Sequence, residues 1–308
     1  MKKFFTSIGI FGCILFFICF ISSTYIYLYI HKYFDPYKEK KISQVFKASL
    51  IIMGDSHPET SLNESFTKAT KGGEDLTHTY AKIKGISKSN KNLNTIVLGL
   101  SHHSFSDFQS YPDDIYYYYT FYSYPFFEKD SLKFYYNILR KDILTSVILN
   151  YKLGIPTKLC IPLLIEENKK LFELPQPITI ILSDSSHWEK KIKHFYYSNN
   201  KLSPPSVYYT SIVQEIKKLC DANKYKLILY NAPVHPQYFR HIPDIYIKHT
   251  DSVVNSLIDN KNIFYLDFSQ YPLPDSCFMD SDHTNIYGAN IITPIVRDSL
   301  ISLGVIEE

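Results

Sequence analysis

Two short polar motifs, far apart in this chain, contain the side chains of a serine nucleophile relay. The first is Gly54-Asp55-Ser56-His57 and the second is Asp280-Ser281-Asp282-His283. In such a relay a histidine takes the proton of a serine hydroxyl while a carboxylate orients the imidazole ring. The residue types and their order predict acyl transfer or ester hydrolysis, with Ser56 as nucleophile, His283 as base and Asp280 as the orienting acid.

The elements next to these motifs must bring them together. Leu50–Met53 has the apolar character of a buried strand, and Gly54 permits the tight turn that exposes the Ser56 hydroxyl. The carboxyl ends of the strands in an open α/β sheet are where ligands bind. Because the second motif precedes a final helix, its Asp and His can fold back onto that edge of the sheet.

The rest of the chain alternates between strand-like and helix-like patterns. Strands are predicted at 50–53, 65–69, 94–99, 226–230 and 263–267, and helices at 76–86, 206–223, 247–259 and 285–303. This alternation predicts an α/β fold with a three-layer, doubly wound parallel sheet of the flavodoxin-like kind. It predicts one catalytic domain at 48–308, in which residues 107–200, with a tyrosine-rich run at 115–127, form an insertion.

The first residues of the chain predict a membrane anchor. After Met1-Lys2-Lys3 no charged residue occurs from Phe4 to Ile30, a stretch longer than the roughly 20 residues that cross a bilayer. It also exceeds the roughly 7–15 residues of a signal-peptide apolar region. We interpret residues 1–31 as a signal anchor, a single transmembrane helix, with a cleaved signal peptide as the alternative. Residues 32–47 then form a polar linker.

Composition excludes some classes of function. The net charge of +3 is small and evenly spread, which argues against nucleic acid as a partner. Five cysteines support no disulfide framework, since two lie in the apolar N-terminal stretch. We expect Cys160, Cys220 and Cys277 to be buried free thiols, with one bridge among them as the alternative.

The two motifs and their order resemble the SGNH (GDSL-like) hydrolase superfamily, over roughly residues 48–303. Its members carry the nucleophile in a Gly-Asp-Ser turn after the first strand and an Asp-x-x-His pair near the carboxyl terminus. In layout the chain is similar to membrane-anchored members, the anchored protein of teichoic-acid D-alanylation and the alginate O-acetyltransferase group. The resemblance implies transfer or removal of an O-acyl group, with acetyl expected, on a cell-envelope polysaccharide, without a cofactor or a metal.

The resemblance also implies a location and a partner. Lys2 and Lys3 favour a cytoplasmic N-terminus, although more positive charge follows the apolar stretch. Together with envelope chemistry, this predicts a catalytic domain outside the cytoplasm, in the periplasm or at the cell surface. The expected substrate is a carbohydrate or an acylated glycan. The expected partner is a multispanning membrane O-acyltransferase that passes the acyl group across the membrane.

The hydrogen-bond donors for a developing oxyanion follow the family pattern only in part. In the superfamily they are the amide of the nucleophile, a Gly after the second strand and an Asn after the third. This implies Ser56 together with Gly72 or Gly73. Where the Asn is usual, this chain has Ser101-His102, and either residue would have to donate instead.

Other polar residues have more than one interpretation. Asn231 and His235 follow the fourth predicted strand at the same sheet edge and are expected to contact substrate. Asp282 competes with Asp280 as partner of His283, or caps the last helix. A second Asp-x-x-His at 184–187 lies in the irregular insertion, with no strand, loop and helix closing after it.

The remaining histidines lead to weaker hypotheses. His57 follows the nucleophile directly, so we expect its side chain to point away from Ser56, as a turn or substrate-side residue. His102 and His103 are alternatively plain loop residues. One such hypothesis is a metal site built from His235, His241 and His249, but no tight ligand motif joins these three residues.

A different class of function stays open beside the enzyme. The departure at Ser101-His102 is also compatible with a catalytically inactive SGNH fold that binds carbohydrate or assists assembly at the envelope.

Overall fold

The computed structural model describes residues 43–106 and 186–307. The predicted anchor, the tyrosine-rich run, Cys160 and Asp184 lie outside the described residues. Within the two described ranges, no helix is long and apolar enough to cross a membrane.

The described chain forms an α/β fold in which helices flank a four-stranded parallel sheet. In chain order the elements are β1 Leu50–Met53, α1 Ser56–Ser61, α2 Leu76–Ser89, β2 Thr95–Gly99, α3 Ser186–Tyr196, β3 Tyr197–Ser198, β4 Lys201–Leu202, α4 Val207–Asn223, β5 Lys226–Asn231, α5 Pro236–Phe239, α6 Asp244–Leu257, β6 Ile263–Asp267 and α7 Ile286–Ser302. Short 3₁₀ helices occur at His102–Phe105 and Asp275–Cys277.

The sheet order is β1-β2-β5-β6, with every neighbouring pair parallel. The first and last strands have the predicted bounds, while β2 and β5 differ from prediction by one residue at one end. The strands are almost continuously apolar because a parallel sheet covered on both faces must bury alternate side chains on each side. The α/β character and parallel sheet predicted from the alternation are therefore confirmed.

The two faces of the sheet pack into two separate clusters of buried side chains. Ile51 and Leu98 belong to the cluster that includes residues of α2, α4 and α6. Ile52 and Val97, their neighbours in sequence, belong to the other cluster, which includes residues of α7. Helices therefore cover both faces, an arrangement consistent with three layers.

The strand predicted at 65–69 is present only as a short extended segment beside β1. Lys68 forms an isolated parallel bridge with Ile52, and the amide of Ala69 donates to the Ile52 carbonyl at 2.8 Å. The amide of Lys71 then donates to the Gly54 carbonyl at 3.0 Å. This segment fixes the following Gly72-Gly73 turn next to the end of β1.

Two boundaries differ from the sequence expectation. Val45, inside the predicted linker, is fully buried in the core, and the Asn90 side chain donates to its carbonyl at 2.9 Å. Helix α3, inside the predicted insertion, buries Ile192, Phe195 and Tyr196 in the same core. The apolar residues of α3 have helical spacing. The residues around α3 follow no regular strand–helix alternation, however, so the sequence pattern did not assign this helix to the main domain.

Cys220 and Cys277 are buried free thiols, as predicted for these two residues.

Gly99 of β2 packs directly against Pro58 of α1, so an added methyl group should have a clear cost. A Cβ built at this position would lie 2.5 Å from Pro58 Cγ and 2.8 Å from Pro58 Cδ. We expect Gly99→Ala to push α1 away from β2 and to lower the free energy of unfolding by about 1–3 kcal/mol. Urea denaturation would measure the loss.

Gly72→Ala is the matched control, since its Cβ would meet only the Ser56 Cβ, at an ordinary 3.8 Å. Equal stability of the two variants would contradict the steric explanation.

Candidate active site

Ser56 is the first residue of α1, directly after the end of β1. Gly54 has φ +124°, a conformation that disfavours any other residue, and its backbone lies close to Gly99. Asp55 caps the helix by accepting a hydrogen bond from the His57 amide at 2.9 Å. The strand, the turn and the cap together hold the Ser56 hydroxyl at the carboxyl edge of the sheet. This helix therefore begins at the serine itself.

The loop before α7 is built around the Asp280 carboxylate. Asp280 Oδ1 accepts hydrogen bonds from the backbone amides of Asp282 at 3.0 Å and of His283 at 2.8 Å. Asn285, one residue ahead of α7, caps that helix through its side chain. The cap that Asp282 was considered for is thus supplied by Asn285, and Asp282 is free for another role.

The structure brings Ser56, His283 and Asp280 into a hydrogen-bonded row. Ser56 Oγ lies 2.7 Å from His283 Nε2, and His283 Nδ1 lies 2.9 Å and 3.0 Å from the two carboxylate oxygens of Asp280. Ser56 and His283 are both partly exposed, so a substrate can reach the hydroxyl. This is the geometry that a nucleophile, a general base and an orienting carboxylate require.

A second carboxylate lies near the same ring nitrogen, Nδ1, of the imidazole. Asp282 Oδ1 is 3.6 Å from His283 Nδ1, and the Asp282 side chain is fully buried. Lys191 of α3 contacts both acids, with Nζ 3.0 Å from Asp282 Oδ1 and 3.3 Å from Asp280 Oδ2. Asp280 is therefore the direct partner of His283, while Asp282 and Lys191 form an ion pair beside it.

Behind the nucleophile lies a second group of buried polar side chains. His103 Nε2 is 2.7 Å from Asp55 Oδ2, and the His57 ring lies between Asp55, at 3.4 Å, and Asp282, at 3.6 Å. The His57 ring centroid is 4.6 Å from that of His283. His57 is thus buried beneath the triad, and the expectation that it is a substrate-side residue is wrong.

The charges around His283 favour its protonated form. Burial works against the imidazolium, but Asp282 and then Asp280 outweigh it and raise the pKa of His283 to about 9. Burial also disfavours the charged form of Asp280, which would raise its pKa. The hydrogen bond and the charge of His283 outweigh this and hold the pKa of Asp280 well below the usual range. Burial lowers the pKa of His57 despite the nearby Asp55 carboxylate, which favours the neutral form of this ring.

Of the predicted oxyanion donors, the glycine turn lies beside the nucleophile. A Cβ on Gly72 would be 3.8 Å from the Ser56 Cβ, and Gly73 has φ +70°, which only glycine adopts easily. The turn is anchored from the α2 side, where the buried Lys82 ammonium contacts both Glu74 and the Ala69 carbonyl.

Ser101 and His102, either of which was expected to donate to the oxyanion, follow the end of β2. The Ser101 amide donates to the Ser104 hydroxyl at 3.1 Å, so it is already used. The buried His102 ring packs edge-on against Phe239. Among the described contacts, no hydrogen bond or ring contact joins either residue to Ser56, whereas His103 reaches the Asp55 cap.

The two predicted substrate contacts are used inside the fold. The fully buried Asn231 donates from Nδ2 to the Tyr265 hydroxyl at 3.3 Å. His235 caps α5, with Nδ1 accepting from the Gln237 amide, and its Nε2 lies 3.2 Å from Asp275. The His235 amide donates to the Ser281 carbonyl at 3.1 Å, so this residue supports the loop that carries His283.

The three histidines of the hypothetical metal site do not share a contact. His241 stacks on Trp188, and His249 bonds to Thr210, so neither shares a partner with His235. His187, of the second Asp-x-x-His, is exposed at the start of α3.

Two other groups in the described part of the chain have the side chains of metal ligands. They are Asp55, His57 and His103, and His57, Asp282 and His283, each with ligand atoms within 4.8 Å of one another. In the first group one imidazole already lies 2.7 Å from a carboxylate oxygen, a hydrogen-bond distance. In the second, the His283 nitrogen facing Asp282 is held by Asp280. The first group thus contains a hydrogen-bonded acid–base pair, whereas the acid and the imidazoles of the second lie 3.6 Å apart.

Sequence reasoning missed Lys191 and left His103 as a plain loop residue. Lys191 stands in a lysine-rich stretch of the presumed insertion, where nothing separates it from Lys190 and Lys193 except its place one residue before the buried Ile192. His103 follows the end of β2, and its position at the active edge of the sheet was the available signal.

A comparison of the sequence with protein-family models and with curated proteins found no match.

Proposed function

We propose that this protein is an SGNH-like serine esterase or O-acyltransferase that acts on cell-envelope polysaccharide. The proposal rests on the hydrogen-bonded triad. Ser56 Oγ lies 2.7 Å from His283 Nε2, and Asp280 lies at hydrogen-bond distance from Nδ1 of the same ring. Ser56 lies directly after β1, and Asp280 and His283 lie in the loop before α7. The superfamily that the two motifs resemble has the same order.

In the proposed reaction Ser56 Oγ bonds to the acyl carbonyl carbon while its proton passes to His283 Nε2. The tetrahedral intermediate collapses when the bond to the leaving alcohol breaks and His283 returns the proton to that oxygen. The acyl group is then an ester of Ser56. Water, or a glycan hydroxyl in the transferase, then attacks the carbonyl carbon of this ester while His283 takes its proton. The bond to Ser56 Oγ breaks, and His283 returns the proton to that oxygen.

Each remaining residue has a part in this scheme. Asp280 keeps the imidazole in the tautomer that accepts a proton at Nε2. The Ser56 amide, at the first position of α1, and the Gly72-Gly73 turn are the proposed donors to the oxyanion, with no assigned part for Ser101 or His102. Every proton and bond is accounted for without a cofactor.

The anchor and the partner are part of the same proposal. The uncharged stretch from Phe4 to Ile30 motivates a single-pass membrane protein with its catalytic domain outside the cytoplasm. Acyl-coenzyme A remains in the cytoplasm, so a transferase there needs a donor from across the membrane. A multispanning membrane O-acyltransferase would supply the acyl group, and a glycan would receive it.

A fluorophosphonate probe tests the proposal, because it reacts only with a serine activated by a base. With the full-length chain we expect labelling at Ser56, none in Ser56→Ala, and at least tenfold slower labelling in His283→Ala. Ser65→Ala, which removes an exposed serine nearby, is the control. An unlabelled wild-type chain that binds glycan equally well with and without Ser56 would favour the inactive binding module motivated by Ser101-His102.

The pH dependence of turnover follows from the charges around His283. Only the neutral imidazole accepts the Ser56 proton, and the two acids raise its pKa to about 9. We therefore expect kcat/KM for p-nitrophenyl acetate to rise about tenfold per pH unit below pH 9 and to level off above it. A midpoint near the ordinary value of 6.5 would contradict this, after correction for spontaneous hydrolysis.

A further inference from the structure

Helix α3 delivers one cation to the loop that carries the triad acid. The Lys191 ammonium lies 3.3 Å from Asp280 Oδ2 and 3.0 Å from Asp282 Oδ1, so it bridges both carboxylates. Its side chain is 30% exposed, whereas Asp282 is fully buried. The neighbouring Ile192 and Phe195 anchor this face of α3 in the core, which fixes where the lysine can reach.

The bridge joins acids that otherwise repel each other around one imidazole. His283 Nδ1 has Asp280 at 2.9 Å and Asp282 at 3.6 Å, and both amides that fold the loop donate to the same Asp280 oxygen. Lys191 occupies the other Asp280 oxygen, Oδ2. Without the cation, the Asp280 carboxylate would lose one of the contacts that set its rotation.

The other charged or titratable groups near His283 come from α1, from the segment after β2 and from the loop itself. From α1 the His57 ring lies beside the imidazole, with the Asp55 cap behind it, and His103 approaches Asp55 from the segment after β2. On the loop itself stand Asp280 and Asp282. The two acids also interact electrostatically with the buried Tyr196 of α3 and Tyr238 of α5. Among all these described groups Lys191 is the only lysine or arginine.

We propose that Lys191 is a positioning residue of the active site: by bridging Asp280 and Asp282 it holds the acid loop against His283 and limits how strongly the two acids retain the proton of the imidazole. The proposal rests on the proposed function for its effect on turnover. Its effect on the imidazole itself does not depend on any substrate.

The test compares Lys191→Met with Lys190→Met, a change to an exposed lysine next to it on α3, and with Lys191→Arg, which keeps the charge. The full-length chains are titrated by NMR of the His283 ring, and kcat/KM for p-nitrophenyl acetate is measured over the same pH range. Circular dichroism establishes that each variant is folded. Lys191→Gln replaces the Met variant if that chain does not fold.

Removing the cation leaves two acids to hold the imidazole proton, so the His283 titration should move to higher pH in Lys191→Met. We expect a shift of about one pH unit, and hence about tenfold lower kcat/KM at pH 7. Lys190→Met should leave both midpoints in place, and Lys191→Arg should restore most of the rate. The shift of the His283 titration to higher pH in Lys191→Met is opposite to the shift expected when one of the two acids is lost.

The two readouts separate the two proposals. A His283 titration that moves as expected in a chain without turnover supports the positioning role of Lys191 and counts against the esterase, since the proposed transferase takes its acyl group from a membrane partner. Turnover with equal titration midpoints and equal pH profiles in Lys191→Met and Lys190→Met overturns the positioning role and leaves the enzyme standing. A shift to lower pH in Lys191→Met overturns it as well.

Discussion

Replacing Ser56 by alanine should lower the rate of p-nitrophenyl acetate hydrolysis by about 10⁴-fold or more, down to the level of the oxyanion donors alone. The reason is that the nucleophilic Oγ, 2.7 Å from His283 Nε2, is removed while the rest of the site is kept. His283→Ala should cost about as much, and the double variant little more, because the two residues act as one unit. Initial rates of the full-length chains at pH 9 would measure all three.

The control for this series is Ser65→Ala. Ser65 is an exposed serine shortly after the end of α1 and does not belong to the triad. It should keep the wild-type rate. Equal turnover by the wild type and Ser56→Ala would remove Ser56 from the mechanism. If the two single losses added up in the double variant, Ser56 and His283 would be acting independently, against the proposed relay.

The second large effect separates the two acids beside His283. Asp280→Asn should lower kcat/KM by about 10⁴-fold, because an amide that donates to Nδ1 would leave the proton on Nε2, where Ser56 needs an acceptor. Asp282→Asn should instead keep the relay, since this carboxylate lies at 3.6 Å from Nδ1 and Asp280 at 2.9 Å. Losing its negative charge lowers the pKa of His283, so the pH profile should move to lower pH.

Full pH profiles of both variants would measure this difference, with Asp298→Asn on the exposed side of α7 as control. A large loss in Asp282→Asn at every pH, with little change in Asp280→Asn, would make Asp282 the orienting acid. Because Asp282 is fully buried against Lys191, its variant must also be compared for stability, and the rates taken well below its melting temperature.

Much of this site could be predicted from the sequence because its parts are local. Gly54 and Asp55 directly precede Ser56 in the chain, and turn and cap formation depend on such neighbours. Asp280 and His283 stand three residues apart, so the loop that they form closes on itself through the Asp280 carboxylate. The apolar runs at β1 and β6 likewise had the predicted bounds, because a buried parallel strand is apolar throughout.

Other features were decided only by packing between distant segments. Lys191 meets Asp282 across 91 positions of sequence, and His103 meets Asp55 across 48. No local pattern distinguishes these residues from exposed lysines or loop histidines. His57 was misjudged for the same reason: its place beneath the triad depends on Asp282 and His103 approaching it from two other elements.

The sequence by itself determined the strand–helix alternation, the turn that presents Ser56 and the acid–base loop that faces it, because periodicity and short-range hydrogen bonding are encoded residue by residue. The tertiary structure alone decided which charges surround His283. Coulomb interactions depend on distance through space and on burial, and both arise only when α1, α3, the segment after β2 and the loop before α7 meet at one edge of the sheet.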